Sequence, residues 1–227
     1  MAATDAWALG IAEIASAMST LEEQLQSAGL KVLSCCEPLT SYSADLMENS
    51  ALLQDFTAAE ADVLARSMLL VHAEPGQVMI REGEAGEWMM LILKGTVDVS
   101  KRIELRADVV AGELPGEFSL TRREVEPAAT AEGTPEAVAA EASFTRIAVL
   151  RRGAAIGEMS MLDSGLRYAS CTAIEAVEAG VLGRRAIALL IRDHPGVGAK
   201  LLVRITQLMA QRLRNISNQL VRLLQKQ

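Results

Sequence analysis

The chain has 227 residues, of which 50% are apolar and only 3% aromatic, and its formal net charge is −7. This length fits one large domain with an aliphatic core, and the negative charge argues against binding nucleic acid through bulk charge. Its three cysteines and two histidines have no metal-site or disulfide spacing, and no apolar run suits a membrane helix or signal peptide, so we expect a cytoplasmic protein without a metal or other cofactor.

The N-terminal residues 1–50 predict a helical extension and a linker. An amphipathic helix is expected over 4–28, because its apolar residues recur at spacings of four and three and share one seam. The seam residues are Trp7, Ile11, Ile14, Met18, Leu21 and Leu25. This seam either packs on the domain or contacts a partner helix. Residues 30–50, with a break at Pro38, are interpreted as a linker with one helical turn.

The pattern that follows indicates a domain built mainly of short strands. Thr57 and Glu60 fit a capping box, which predicts a helix that ends near Leu70. Glycine turns at 76, 83, 86 and 95 then separate predicted strands at 78–80, 88–93 and 96–100. Short strands punctuated by glycines in this way predict an antiparallel barrel or sandwich.

Residues 101–143 interrupt the series of strands. This segment is acidic and rich in Ala, Glu, Pro and Gly, so it cannot bury enough apolar area to offset the entropy of ordering. We therefore predict a flexible insertion, either a solvated loop or a docking or regulatory lid. Strands are predicted again at 144–150, 170–174 and 179–183, and a helix at 185–192 ends before Pro195.

A long helix is predicted over 197–226. Its apolar stripe consists of Leu202, Ile205, Met209, Leu213, Ile216, Leu220 and Leu223. A helix of roughly 40 Å cannot rest wholly on a small barrel, so we expect it to pair with another helix, most simply its copy in a homodimer. The chain has no acid after Asp193. We interpret the basic residues of the helix as a solvated face, with nucleic acid or membrane binding as the alternative.

The stretch from Ile156 to Ser170 carries the chemistry of a binding site. Gly157 allows close approach of the backbone, and the helix start after it offers free N–H groups to an anion. Arg167 can supply a forked donor to phosphate oxygens, and Glu158 can accept hydrogen bonds from sugar hydroxyls. The residues indicate a cradle for a sugar phosphate, with an exposed ion-paired loop as the alternative.

The region 52–224 resembles a cyclic nucleotide-binding domain of the kind shared by catabolite-activator-type regulators and the regulatory subunits of cyclic-AMP-dependent kinase. The resemblance rests on the glycine turns that end in the segment 95–99, on the stretch 156–170, which is similar to a phosphate-binding cassette, and on the long helix after them. It implies a mainly β fold with flanking helices over 51–227: an antiparallel jelly-roll barrel, N-terminal helices and a long C-terminal helix.

The resemblance also implies roles for individual residues. Arg167 would pair with the cyclic phosphate and Glu158 would hydrogen-bond the ribose 2′-hydroxyl. The implied ligand-binding set is Gly157, Glu158, Met159, Ser160, Arg167, Tyr168, Ala169 and Ser170. Tyr168 stands where the family has a small residue, so its ring is a source of crowding or stacking. Residues of the long helix cap the purine in the family, and the candidates by position are Arg204, Gln207 and Gln211. Cyclic AMP is favoured over cyclic GMP.

The function that we predict is a stand-alone sensor that is not an enzyme. We find no nucleophile–base pair and no nucleoside-triphosphate loop, and the chain ends at Gln227, where we expect no room for a DNA-binding helix-turn-helix. Ligand binding would change a dimer or protein-partner surface on the terminal helices. The alternatives are a degenerate domain that serves as a ligand-independent interaction module, and a DNA-binding regulator that uses the basic last helix.

Overall fold

The computed structural model describes residues 16, 18–42, 44–103 and 143–225. The helices are α1 (described over 18–27), α2 (Leu39–Tyr42), α3 (Ala44–Asn49), α4 (Ala58–Arg66), α5 (Glu158–Asp163), α6 (Arg184–Asp193) and α7 (Pro195–Leu224). The strands are β1 (Lys31–Cys35), β2 (Leu69–Ala73), β3 (Val78–Ile80), β4 (Trp88–Lys94), β5 (Thr96–Ile103), β6 (Ser143–Arg151), β7 (Ala155–Ile156), β8 (Ser170–Ala173) and β9 (Val177–Gly183). Nearly all of the predicted insertion, and the first part of the predicted N-terminal helix, lie outside the described residues.

The strands form two antiparallel sheets. One sheet has the order β1-β2-β9-β4-β7 and the other has the order β3-β8-β5-β6. The predicted mainly β fold, with antiparallel strands, flanking helices and a long C-terminal helix, is confirmed. Within the part of the chain that the structure describes, the sheets remain two layers and do not join into a closed barrel.

Strand β4 separates the two hydrophobic cores of the molecule. Met90 and Ile92 point into the core between the sheets, whereas Met89 and Leu91 point into the core beneath the helices. Because both faces of β4 are buried, its sequence is a continuous apolar run and not an alternation. The helical core receives Leu201 and Ile205 of α7, both 0% exposed, so the first half of this helix packs on the domain.

The segment 30–50 differs from the predicted linker. Lys31–Cys35 form β1, which pairs with β2 at one edge of the five-stranded sheet. Most side chains of β1 are exposed, so the strand lacks the buried alternation by which a strand is recognised from sequence. In α1, Leu21 and Leu25 are 5% and 0% exposed and pack in the core between the sheets. The described part of the predicted seam therefore packs on the domain.

Helix α4 begins at the predicted capping box but ends earlier than predicted. The Thr57 N–H donates to the Glu60 carboxylate at 2.8 Å, and the Glu60 N–H donates to the Thr57 hydroxyl at 3.3 Å. Leu69 and Leu70 were expected at the end of this helix. They belong to β2, because their backbones pair with β9 and complete the five-stranded sheet.

The capping carboxylate also anchors α7. The Lys200 ammonium lies 2.6 Å from Glu60 Oε2 and donates to the Asp55 carbonyl at 2.9 Å. Arg204, one turn later, pairs with the Asp55 carboxylate. The hydrogen bond from Lys200, with those from Thr57, lowers the pKa of Glu60 to about 2. The first half of α7 is thereby fixed to the start of α4.

Replacing Glu60 by glutamine is expected to make the free energy of unfolding depend less on pH in the acid range. The pKa of this carboxyl is about 2 in the fold against an ordinary value of 4.5, so its contribution is complete above pH 4.5 and is lost as the pH falls toward 2. Urea unfolding from about pH 2 to about pH 6 should show the largest wild-type advantage at the upper end and none at the lower. Glu23→Gln, at an exposed position of α1, is the control. A constant difference at all pH values would contradict this assignment.

Contacts divide the chain into two compact units, one made of Met1–Lys101 with Arg146–Gln227 and the other of Arg102–Thr145. In the described part of the second unit, the Arg102 guanidinium lies 5.9 Å from the centroid of the Phe144 ring. None of the helices in the described ranges combines the length and the apolar composition needed to cross a bilayer.

Candidate functional site

The stretch that the sequence singled out folds as predicted: a strand end, a glycine, a short helix, a turn and a new strand. Gly157 follows β7 with φ of 76°, a left-handed conformation that glycine adopts without strain, and α5 starts at the next residue. Ser164 ends α5, and β8 begins at Ser170. This path places Glu158 and Arg167 on the same cavity.

Arg167 is a buried cation with one donor atom unused. Its side chain is 4% exposed, and its Nη1 donates to the Gly157 carbonyl at 2.8 Å and the Ser160 hydroxyl at 2.7 Å. The guanidinium carbon lies 4.1 Å from the centroid of the Trp88 ring, which supports one face of the group. Nη2 is buried and has no hydrogen-bond partner among the described residues. An unsatisfied buried donor on a cation favours binding of an anion, whose oxygens accept the hydrogen bond.

Burial governs the electrostatics of the guanidinium. It lowers the pKa of Arg167 to about 10, and Cys171, Glu158 and Glu84 oppose the shift. The group therefore remains charged at neutral pH while it has lost most of its hydration. Burial also raises the pKa of the Cys171 thiol to about 12, which keeps that wall of the cavity neutral. An anionic ligand would restore the interactions that Arg167 has lost.

Two glycines provide the space that the guanidinium occupies. A Cβ added at Gly157 would lie 2.7 Å from Arg167 Nη1, and a Cβ added at Gly86 would lie 2.4 Å from Arg167 Nη2. Any side chain at either position would displace the group. The sequence indicated Gly157 as part of the site, but it indicated Gly86 only as a turn.

Glu158 is a buried carboxylate that pairs with the last helix. Its side chain is 1% exposed and forms an ion pair with Arg212 of α7, whose own side chain is 38% exposed. The second nitrogen of this guanidinium donates to the Ala155 carbonyl at 2.5 Å. Arg212 therefore closes the cavity over the carboxylate.

The cavity brings together seven of the eight predicted ligand-binding residues and has a volume of about 100 Å³. These seven are Gly157, Glu158, Met159, Ser160, Arg167, Tyr168 and Ala169. The eighth, Ser170, uses its hydroxyl to accept a hydrogen bond from the Glu82 N–H at 3.0 Å. Its side chain thus connects β8 to the end of β3.

Tyr168 lies at the rim of the cavity with its side chain mostly in solvent. The residue is 57% exposed, and the Lys101 ammonium lies 3.9 Å from its ring centroid. Lys101 also donates to the Tyr168 carbonyl at 2.8 Å. The ring is therefore exposed beside a cation at the rim of the cavity, and whether it crowds or stacks on a ligand stays a prediction.

The predicted base contacts on α7 do not line the cavity. Arg204 pairs with Asp55 and donates to Gln207 at 2.8 Å, and Gln211 donates to Asn215 at 3.0 Å. The residue of α7 that reaches the cavity is Arg212. Position on the helix alone could not identify it, because the contact depends on how α7 crosses the sheets.

Arg184 fixes the far end of α5. Its Nε donates to the Met161 carbonyl at 2.8 Å and its Nη1 donates to the Ser164 hydroxyl at 2.8 Å. The last carbonyls of a helix have no partner within the helix, and the contact from Arg184 satisfies the one at Met161. Arg184 was not among the predicted site residues.

A larger cavity of about 500 Å³ lies between α1 and the segment 79–88, and it also reaches Arg167. It contains neither Glu158 nor the start of α5. Arg167 and Glu158 therefore occur together only in the smaller of these two cavities. Across the described ranges, no cluster of three or more His, Cys, Asp or Glu residues has a geometry that could hold a metal ion.

No protein-family model matches the sequence, and no curated protein does. Among solved structures, the chain is similar to a cyclic nucleotide-binding domain from Methylobacillus flagellatus, with 25% identity, a TM-score of 0.60, and coverage of 84% of this chain and 88% of that chain. It is 24% identical to the catabolite activator protein of Thermus thermophilus, with a TM-score of 0.55 over 77% of this chain and 63% of that one.

A third similar structure is the N-terminal domain of a transcriptional regulator from Streptomyces coelicolor, with 20% identity and a TM-score of 0.52 over 78% of this chain and 95% of that chain. The chain spans less than two thirds of the Thermus thermophilus protein and most of the other two. The protein therefore has the fold of the cyclic nucleotide-binding domains, as the resemblance in its sequence implied.

Proposed function

We propose that the protein binds a cyclic nucleotide between Glu158 and Arg167 and acts as a sensor without enzymatic chemistry. The observation that carries the proposal is the Arg167 guanidinium, which is buried and charged and whose Nη2 has no partner in the described part of the chain. A cyclic phosphate has one negative charge and two free oxygens, which match one guanidinium. The carboxylate of Glu158, on the same cavity, can accept a hydrogen bond from the ribose 2′-hydroxyl.

Cyclic AMP is the first ligand to test and cyclic GMP the second. The similarity to a cyclic nucleotide-binding domain and to a catabolite activator protein supports the class of ligand. The purine would leave the cavity on the side of Tyr168 and Arg212, since these side chains form its exposed rim. A tyrosine ring stacks on a base without requiring one particular base.

Isothermal titration of the full chain with cyclic AMP and cyclic GMP tests the proposal. We expect saturable heat at one nucleotide per chain with at least one of them, and much weaker binding of adenosine 5′-monophosphate, whose open phosphate carries two charges and differs in shape from the singly charged cyclic phosphate. Circular dichroism of the same sample establishes that it is folded. If neither cyclic nucleotide gave heat with folded protein, the proposal would be refuted.

The readout that we propose is a change in the surface of α7, used by a second copy of the chain or by a protein partner. Beyond Ala210 this helix presents a stripe of exposed apolar side chains: Leu213, Ile216, Val221 and Leu224. An exposed stripe at helical spacing is typical of helix–helix association. Sedimentation velocity with and without nucleotide measures whether the stripe joins two copies.

A ligand-independent interaction module is the second candidate. It is favoured by the small cavity of about 100 Å³ and by Arg212, which already pairs with Glu158. If the protein is such a module, a protein partner should be captured equally with and without cyclic nucleotide. If it is a sensor, the amount captured should change with nucleotide.

A further inference from the structure

Arg212 joins the last helix to the carboxylate that we assign to the sugar. It pairs with Glu158 through Nη1 and reaches the Ala155 carbonyl at 2.5 Å through Nη2. The carboxylate is 1% exposed, so nearly all of its hydration has been replaced by protein contacts. A buried charge of this kind depends strongly on its partner, because losing the partner leaves the charge uncompensated.

Among the described residues, α7 forms three ion pairs with the rest of the domain, and they are of two kinds. Lys200 and Arg204 pair with acids of the segment 55–60, outside the cavity. Arg212, two turns after Arg204, pairs with Glu158 inside the cavity. A ligand at Glu158 therefore competes with the last pair alone, and the first half of α7 keeps both of its anchors.

The second half of α7 touches the domain at Arg212. Leu201 and Ile205 are fully buried, but residues 211 and 213–219 are all exposed. Arg212 is only half-exposed because its guanidinium reaches into the cavity. Among the described residues beyond Ala210, Arg212 is the one with an ion pair or hydrogen bond to the rest of the domain, so breaking its contacts would detach this part of the helix.

The cavity is too small for a nucleotide while Arg212 stays in place. Its volume is about 100 Å³, whereas ligand pockets begin at roughly 300 Å³. The geometry points to Arg212 as an internal competitor that holds Glu158 until the ribose hydroxyls of a cyclic nucleotide displace it, which frees α7 beyond Ala210. The inference rests on the proposed function. A phosphate contact at Arg167, which lines the same cavity, would offset the free energy that is lost with the Arg212–Glu158 pair.

Hydrogen exchange of the full chain without nucleotide tests the attachment itself. We expect the amides of 213–222 to exchange about tenfold faster in Arg212→Gln than in the wild type, because the helix loses its contact with the domain. The matched control is Arg214→Gln, since Arg214 is exposed and its guanidinium, among the described residues, donates to Gln211 alone, at 3.4 Å. Equal exchange in Arg212→Gln and the wild type would overturn the attachment.

Titration with cyclic AMP and cyclic GMP tests the competition. Arg212→Gln should bind about tenfold more tightly than the wild type, because the ligand no longer has to displace the guanidinium, and Arg214→Gln should bind like the wild type. Equal or weaker binding by Arg212→Gln, with a wild type that binds, overturns the competition and leaves the proposed function intact. No binding by any of the three proteins overturns both.

Discussion

Arg167→Ala should lose at least about a hundredfold in affinity for the cyclic nucleotide, or about 3 kcal/mol. The guanidinium is a buried cation that lines the cavity, and it combines charge with a forked set of donors. Without it, the buried charge that remains on the cavity among the described residues is the Glu158 carboxylate, which repels a phosphate. Titration calorimetry of the variant with cyclic AMP and cyclic GMP measures the loss.

The same change is not expected to unfold the protein. Burial lowers the pKa of Arg167 well below its usual range, to about 10, so keeping this group charged in the fold disfavours the native state by on the order of 3 kcal/mol at neutral pH. Removing the side chain recovers this free energy, which offsets the loss of its stacking on Trp88 and of its hydrogen bonds to Gly157 and Ser160. Urea unfolding of Arg167→Ala should therefore give a free energy within about 1 kcal/mol of the wild type.

Two further variants sharpen the result for Arg167. Arg167→Lys keeps the charge but loses the fork, so we expect affinity between those of the alanine variant and the wild type. Arg185→Ala removes an exposed arginine at the start of α6 and should bind like the wild type. If Arg167→Ala bound as tightly as Arg185→Ala, the phosphate would have been assigned to the wrong residue.

The sequence predicted the elements whose signal is local. β3, β4 and β5 were recognised because glycine turns separate short apolar runs, and the start of α4 was recognised from its capping box. β1 was missed because it is an exposed edge strand, whose place is set only by pairing with β2. The end of α4 was misplaced because Leu69 and Leu70 suit a helix or a buried strand equally, and pairing with β9 decides between them.

The same limit applies to the candidate site. Gly157, Glu158 and Arg167 lie within one stretch, so the sequence alone could place them around one cradle, and the structure brings them to one cavity. Gly86 and Arg212 come from distant parts of the chain and reach Arg167 and Glu158 only through the packing of β4 and α7. No periodicity or spacing in the sequence connects such positions.

The two charges of the site differ in how completely they are satisfied. Glu158 is paired with Arg212, whereas Arg167 keeps a buried donor without a partner among the described residues. A phosphate group therefore gains a contact at Arg167 that no described protein group supplies, while a sugar hydroxyl must replace a contact at Glu158. Affinity should thus depend mainly on the phosphate, and coupling to α7 should depend on the sugar.

Gly157→Ala should lower nucleotide affinity by about a hundredfold, because it shifts the Arg167 guanidinium without removing any charge. The added Cβ would lie 2.7 Å from Arg167 Nη1 and 3.0 Å from Ile80 Cδ1, so the guanidinium must leave its place on the Gly157 carbonyl. The left-handed φ of 76° also makes alanine unfavourable there, by roughly 1–2 kcal/mol of folding stability. Calorimetric titration and urea unfolding measure the two effects separately.

Gly76→Ala is the matched control, because it shares the strain without the clash. Gly76 has φ of 82°, and a Cβ built there meets no atom within 4 Å. Both variants should therefore lose similar folding stability, and only Gly157→Ala should lose affinity. If the two variants bound the nucleotide equally well, Gly157 would serve only the turn before α5, and the close approach of Arg167 would have no part in holding the phosphate.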